Sequence, residues 1–115
     1  MEICTRSQDA AVIGAVNGRM DAVTAPDFDA WFSDRLNAAE LRLVLDLSGL
    51  EYVSSAGLRS LLAAAKQIKV SQGDLVLCGL SGTVEEVFRI SGFINIFRVF
   101  SSVDQALKAI AEPRC

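Results

Sequence analysis

The run Leu41-Arg-Leu-Val-Leu-Asp-Leu47 constrains the fold more than any other part of the chain. It is nearly continuous in apolar residues and suits a central strand covered on both faces. A strand buried on both sides needs packing layers, and the flanking segments supply them. Upstream, Phe28, Trp31, Phe32 and Leu36 recur at helical spacing to about Ala39. That helix opens at Thr24-Ala-Pro-Asp27, where Thr24 can cap, Pro26 is tolerated in the first turn and Asp27 complements the dipole. Downstream, a second helix is expected from Ser55 or Ala56 to about Val70, with Leu58, Leu61, Leu62, Ala65 and Ile68 facing inward. Its opposite side carries Arg59, Ser60, Ala63, Lys66 and Gln67, and Gly73 marks its exit.

Residues 2–8 and 11–17 have the pattern of two short strands around a polar turn at Ser7-Gln8-Asp9. Asn17-Gly18 closes the second strand, and Arg19-Met20-Asp21 follows as loop. Leu75-Val-Leu-Cys78 is a further strand, Thr83 to about Ser91 a short helix ending at Gly92, and Phe97-Arg-Val-Phe100 the last strand. Ser102-Val-Asp-Gln105 has the spacing of a capping box for a final helix bearing Ala106, Leu107 and Ile110. Pro113 is expected to end the structured part. The pattern predicts one α/β domain over residues 1–115, its core about 2–112. A mixed sheet of about five strands packs against about four helices.

Composition removes several function classes. Histidine is absent, which excludes Ser-His-Asp and Cys-His catalysis and histidine metal sites. The net charge of −3 argues against direct nucleic-acid binding. Cys4, Cys78 and Cys115 offer neither a metal-ligand pair nor a disulfide framework. Cys4 and Cys78 fall in strands and are expected to be small buried hydrophobes, with Cys115 a loose terminal thiol. No apolar run reaches the roughly 20 residues of a membrane span. The first residues lack the basic and long apolar segments of a signal peptide. A cytoplasmic protein without cofactor or metal is expected, and no constellation supplies base, nucleophile and stabiliser for an enzyme.

Four local features bear on function. Gly79-Leu-Ser-Gly-Thr83 looks like a phosphate-cradling loop but lacks its glycine spacing and lysine, so Thr83 or Ser81 is an ordinary cap. Asp46 is expected near a strand end, tying down the Ser48-Gly49 turn, and Asp21, taken alone, as a solvated loop residue. The pair Ser54-Ser55, opening a helix, has two possible jobs. One is to cap backbone N–H groups. The other is to accept phosphate, which free N–H groups and the positive dipole end would tolerate there. A phosphate adds about −1.5 to −2 charges, enough to repel a partner docked on Ala56, Ser60 and Ala63.

Tyr52-Val-Ser-Ser-Ala-Gly-Leu-Arg-Ser-Leu-Leu62 resembles the signature of the anti-anti-sigma factors, single-domain members of the STAS group. Gly18-Arg-Met-Asp-Ala-Val-Thr-Ala25 resembles the family's second-strand exit. Phe88 to Phe97, followed by Ala106-Leu107, resembles its C-terminal third. The likeness spans about residues 2–112 and implies a STAS fold. It also implies an anti-sigma factor antagonist that binds a kinase-type anti-sigma factor, the anti-sigma factor serine kinase. That kinase phosphorylates a helix-start hydroxyl and ends the interaction; a serine phosphatase restores it. The family pattern Asp-Ser-Ser/Thr-Gly is altered here. Ser54 stands at the aspartate position and Ala56 at the second hydroxyl, so Ser55 is the implied phosphoacceptor and Ser54 the reserve. Asp21 matches a loop aspartate used toward partners, and the implied partner surface is Asp21, Ser54, Ala56, Gly57, Arg59, Ser60 and Ala63. Two other functions share the fold: partner switching on a phosphatase, cyclase or secretion machinery, and binding of a lipid or small ligand.

Overall fold

The computed structural model describes residues 1–111, so Pro113 and Cys115 lie outside the described residues. β1 (Glu2–Gln8) and β2 (Ala11–Met20) form an antiparallel hairpin in unbroken register from Glu2–Asn17 to Gln8–Ala11. Its two-residue turn is Asp9-Ala10, with φ of 53° and 63°. Positive φ at both positions matches the twist that tight hairpins need. From β2 the chain passes through α1 (Ala25–Asn37), β3 (Arg42–Asp46) and β4 (Leu50–Val53) to α2 (Ser55–Val70). It continues through β5 (Asp74–Cys78), α3 (Gly82–Ile90), a 3-10 turn at Phe93–Asn95 and β6 (Val99–Phe100) to α4 (Val103–Ala111). The result is the expected mixed α/β architecture.

The sheet order is β1-β2-β3-β5-β6, with β4 pairing to β2. β3 runs parallel to both neighbours, and β5 parallel to β6. Parallel neighbours require crossovers, and crossovers are right-handed. An order that advances steadily from β2 to β6 therefore puts α1, α2 and α3 on one face. α4 follows the last strand and is free to fold onto the other face.

Strand alternation divides the core accordingly. Leu43, Leu45, Leu75 and Leu77 pack with Phe28 and Phe32 of α1, Leu61 and Ile68 of α2, and Val84 and Phe88 of α3. Ile13, Val44, Val76 and Cys78 pack with Ala106, Leu107 and Ile110 of α4. The expected capping box holds α4's start: the Gln105 N–H donates to the Ser102 hydroxyl at 3.2 Å. Its returning half is shifted by one residue, with the Gln105 carboxamide accepting from the Ser101 N–H.

Several local expectations are corrected. Among the described residues the sheet has six strands rather than about five, because Leu50–Val53, which the sequence pattern assigns to no element, is β4. Four residues are too few to display a period. Arg19-Met20 is strand rather than loop, because β2 continues past a bulge between Gly18 and Arg19 to pair with β4. Cys4 is exposed, since β1 is an edge strand. Ala64, not Leu62 or Ala65, is fully buried on α2, and those two are half-buried. Neither Thr24 nor Ser81 makes a side-chain cap, although each occupies the N-cap position of its helix.

Trp31 shows how tightly α1 sits. Its indole lies over Gly14, where a β-carbon would come within 2.7 Å of the ring. Its Nε1 donates to the Thr5 hydroxyl at 2.9 Å, across the β1–β2 pair. Gly14→Ala should therefore cost about 1–3 kcal/mol by overpacking. Urea denaturation monitored through the fluorescence of Trp31, the sole tryptophan, measures it.

Candidate functional site

The end of β2 and the start of α2 are stitched together at one edge of the sheet. The Ser54 N–H donates to the Met20 carbonyl at 2.9 Å, joining the last residue of β2 to the residue before α2. Ser54 has the extended backbone of an N-cap, and its hydroxyl accepts the Gly57 N–H at 3.3 Å. Its own carbonyl accepts the Leu58 N–H at 2.9 Å. Gly57 is buried in this junction. A β-carbon there would lie 2.8 Å from Met20 Cγ and 2.9 Å from the Met20 carbonyl. The glycine thus lets the helix start press onto the strand end.

Ser55 differs from its neighbour. It is the first helical residue and exposed, and its hydroxyl has no partner among the described residues. The first turn of α2 contains no acidic residue. Nothing on the helix itself offsets the positive end of its dipole. One turn apart, Ser55, Arg59 and Ala63 form an exposed stripe, with Ala56 and Ser60 half-buried beside it.

Asp21 follows Met20 directly, which brings its loop to the same junction. It is not merely solvated. Its Oδ1 accepts the N–H groups of Val23 at 3.0 Å and Thr24 at 3.1 Å, and its carbonyl accepts the Ala25 N–H at 2.8 Å. Asp21 therefore caps the turn leading into α1, the job expected of Thr24. The Thr24 hydroxyl instead accepts the Asp21 N–H and donates to the Arg19 carbonyl. These contacts hold the Asp21 carboxyl below its usual pKa, the Thr24 N–H foremost, against partial desolvation. The Val23 N–H, the Thr24 hydroxyl and the Arg19 charge act in the same lowering direction.

The junction also holds residues that the sequence pattern did not single out. Arg19 stacks its guanidinium over the Tyr52 ring at 4.3 Å, and the two are register partners between β2 and β4. Val23 is 84% exposed and Tyr52 37%, so apolar surface lies open beside Asp21 and the helix start. Recognising β4 as a strand would have revealed the Arg19–Tyr52 pair. Elsewhere, Asp46 does tie down its turn, accepting the Ser48 N–H at 3.1 Å. Cys78 is a buried thiol pushed up to about 12 by desolvation and the Asp46 charge, so it is unreactive.

The junction is built from a helix start, a capped loop and a stacked pair. Comparison with known proteins agrees with the fold. The STAS domain profile matches residues 2–106, and the chain belongs to the STAS domain family. It is 41% identical over 109 residues to the anti-sigma factor antagonist BtrV of Bordetella bronchiseptica, covering 95% of this chain and 94% of that protein. It is 32% identical over 84 residues to the anti-sigma-B factor antagonist of Listeria monocytogenes, covering 73% and 74% of the two chains. The crystal structure of an anti-sigma factor antagonist from Thermotoga maritima superposes with a TM-score of 0.89 at 23% identity, covering 96% and 95%. No helix among the described residues is long and apolar enough to cross a membrane.

Two stability measurements follow from the capping. Ser54→Ala should cost about 1 kcal/mol by removing the α2 cap. Because folding lowers the Asp21 pKa, its contribution is present above the unfolded aspartate value of about 3.9 and fades as pH falls through the folded value. The stability gap between the parent and Asp21→Ala in urea should therefore be open at pH 6 and close in strong acid.

Proposed function

We propose that this protein is an anti-sigma factor antagonist in a partner-switching system. Unphosphorylated, it binds a kinase-type anti-sigma factor across the α2 start; phosphorylation of Ser55 releases it, and a serine phosphatase resets it. The observation that carries the reading is the division of labour between adjacent serines. Ser54 is committed to the α2 cap, whereas the Ser55 hydroxyl is exposed and unpartnered among the described residues. A modification at Ser55 therefore leaves the cap standing. The similarity to BtrV across nearly the whole chain supports the antagonist role.

The physical sequence is short. In the unmodified state the partner covers the Ser55–Arg59–Ala63 stripe, Ala56 and Ser60, with Asp21, Val23 and Tyr52 at the margin. The kinase transfers the γ-phosphoryl group of ATP to the Ser55 oxygen, breaking its bond to the β,γ-bridging oxygen and releasing ADP and the hydroxyl proton; this chain is substrate, not catalyst. The phosphate faces the unpaired N–H groups of the first turn and lies one turn from Arg59, which can pair with it. The fold is spared while the surface gains negative charge, loses a free arginine and presents bulk where the partner sat. Ser54, at the position where the family pattern has aspartate, supplies the cap that an aspartate would.

Incubation with the cognate kinase and ATP, followed by mass-spectrometric mapping, tests the assignment. Phosphate is expected on Ser55 and abolished by Ser55→Ala; phosphate elsewhere, with both serines unmodified, overturns the site. Calorimetry should find Ser55→Asp binding the kinase at least about tenfold more weakly, or 1.4 kcal/mol, with the fold intact by circular dichroism.

A further inference from the structure

We infer that β1 is a self-association edge: two copies of this chain pair their β1 strands antiparallel about a two-fold axis at Cys4, joining their sheets into one. β1 is the terminal strand of the sheet, bonded to β2 on one side and to no strand on the other among the described residues. Six of its seven residues are exposed, and Ile3 is half-buried. The register to β2 is unbroken, so the open side presents a regular ladder of N–H and C=O groups. Edges of this length are ordinarily blunted by proline, a bulge or charges that repel a second edge. Glu2-Ile-Cys-Thr-Arg-Ser-Gln8 has no proline and no bulge, and its two charges are of opposite sign.

What the edge has instead is a self-complementary charge pattern. A two-fold axis perpendicular to the sheet keeps each side chain on its own face and must pass through a residue position. With the axis at Cys4, Glu2 lies opposite Arg6 of the second copy and Arg6 opposite its Glu2. Ile3 then meets Thr5, and Cys4 meets its own counterpart. With the axis at Thr5, Glu2 meets Gln8 and Cys4 meets Arg6, so neither charge is matched. With the axis at Ile3, Glu2 meets Cys4. Only the Cys4 register pairs both charges. Glu2, Cys4 and Arg6 share the face opposite to Thr5, whose hydroxyl is held by Trp31. The three are exposed and uncovered by any helix. Cross-strand β-carbons come about 4.5–5.5 Å apart, which places the two Cys4 thiols within reach of a short cross-linker. The strand pair is small, so the dimer is weak and its charge pairs are salt-sensitive.

Sedimentation of the full chain over about 1 μM to 1 mM at low salt reads the equilibrium. A concentration-dependent dimer is expected, weakened about tenfold by Arg6→Glu and recovered in the double variant Glu2→Arg/Arg6→Glu, which restores both opposite-charge pairs. In a Cys115→Ser background, a short bismaleimide should join two chains through Cys4 and should fail on Cys4→Ser. A monomer throughout the range overturns the inference. So does a dimer that ignores the Arg6 reversal or does not cross-link at Cys4, since its interface lies elsewhere. These outcomes are read without kinase or phosphate and are independent of the Ser55 assignment.

Discussion

The structure depends on the burial of β3. Leu43, Val44 and Leu45 are completely buried, and the strand is parallel to a partner on each side. Parallel pairing on both edges obliges the chain to leave and return over one face, which fixes where α1 and α2 must lie. It also obliges the strand to be apolar toward both layers, because neither face sees water. Asp46 is tolerated only because it falls at the strand's end, where its carboxylate accepts the Ser48 N–H. The turn it holds then directs the chain into β4 and so to the start of α2.

The junction at α2 results from that route. β2 is long enough to serve two neighbours in succession, β3 through residues 12–15 and β4 through residues 18–20. Its last carbonyl, at Met20, receives the Ser54 N–H, so the strand's end and the helix's beginning are a single hydrogen-bonded unit. Gly57 lets the two backbones approach, and Asp21 caps the next turn from the same point. A phosphate on Ser55, on the proposed reading, would sit on a rigid support. Its effect would be on what the surface can bind.

Much of this was legible in the residues. The doubly buried strand, the α2 boundaries and the final capping box follow from apolar runs and cap spacing, which report burial directly. The serine motif located the junction because a resemblance carried it. What escaped were features that depend on partners distant in sequence. β4 is four residues whose strand character comes from pairing with β2, and the Arg19–Tyr52 stack exists only because of that pairing. Thr24 has the composition of a cap, yet Asp21, three residues earlier, outcompetes it by reaching two N–H groups at once. Cys4 lies in a strand as expected but at the sheet's edge, and edge position is a property of topology, not of the local pattern.

The two faces of the sheet are unequally roofed. Among the described residues, three helices and their aromatic rings cover one side, and only α4 covers the other, through a smaller cluster. Local opening takes least free energy where least apolar surface is buried. Detachment of α4 would uncover Val44 and Val76 without disturbing Met20, which belongs to the other cluster, or Ser54 and Gly57, which contact it. Backbone amides of α4 should thus exchange with solvent ahead of those in α2. On the proposed reading, the surface around Ser55 is mechanically insulated from α4, which would leave evolution free to alter that wall without retuning the proposed switch.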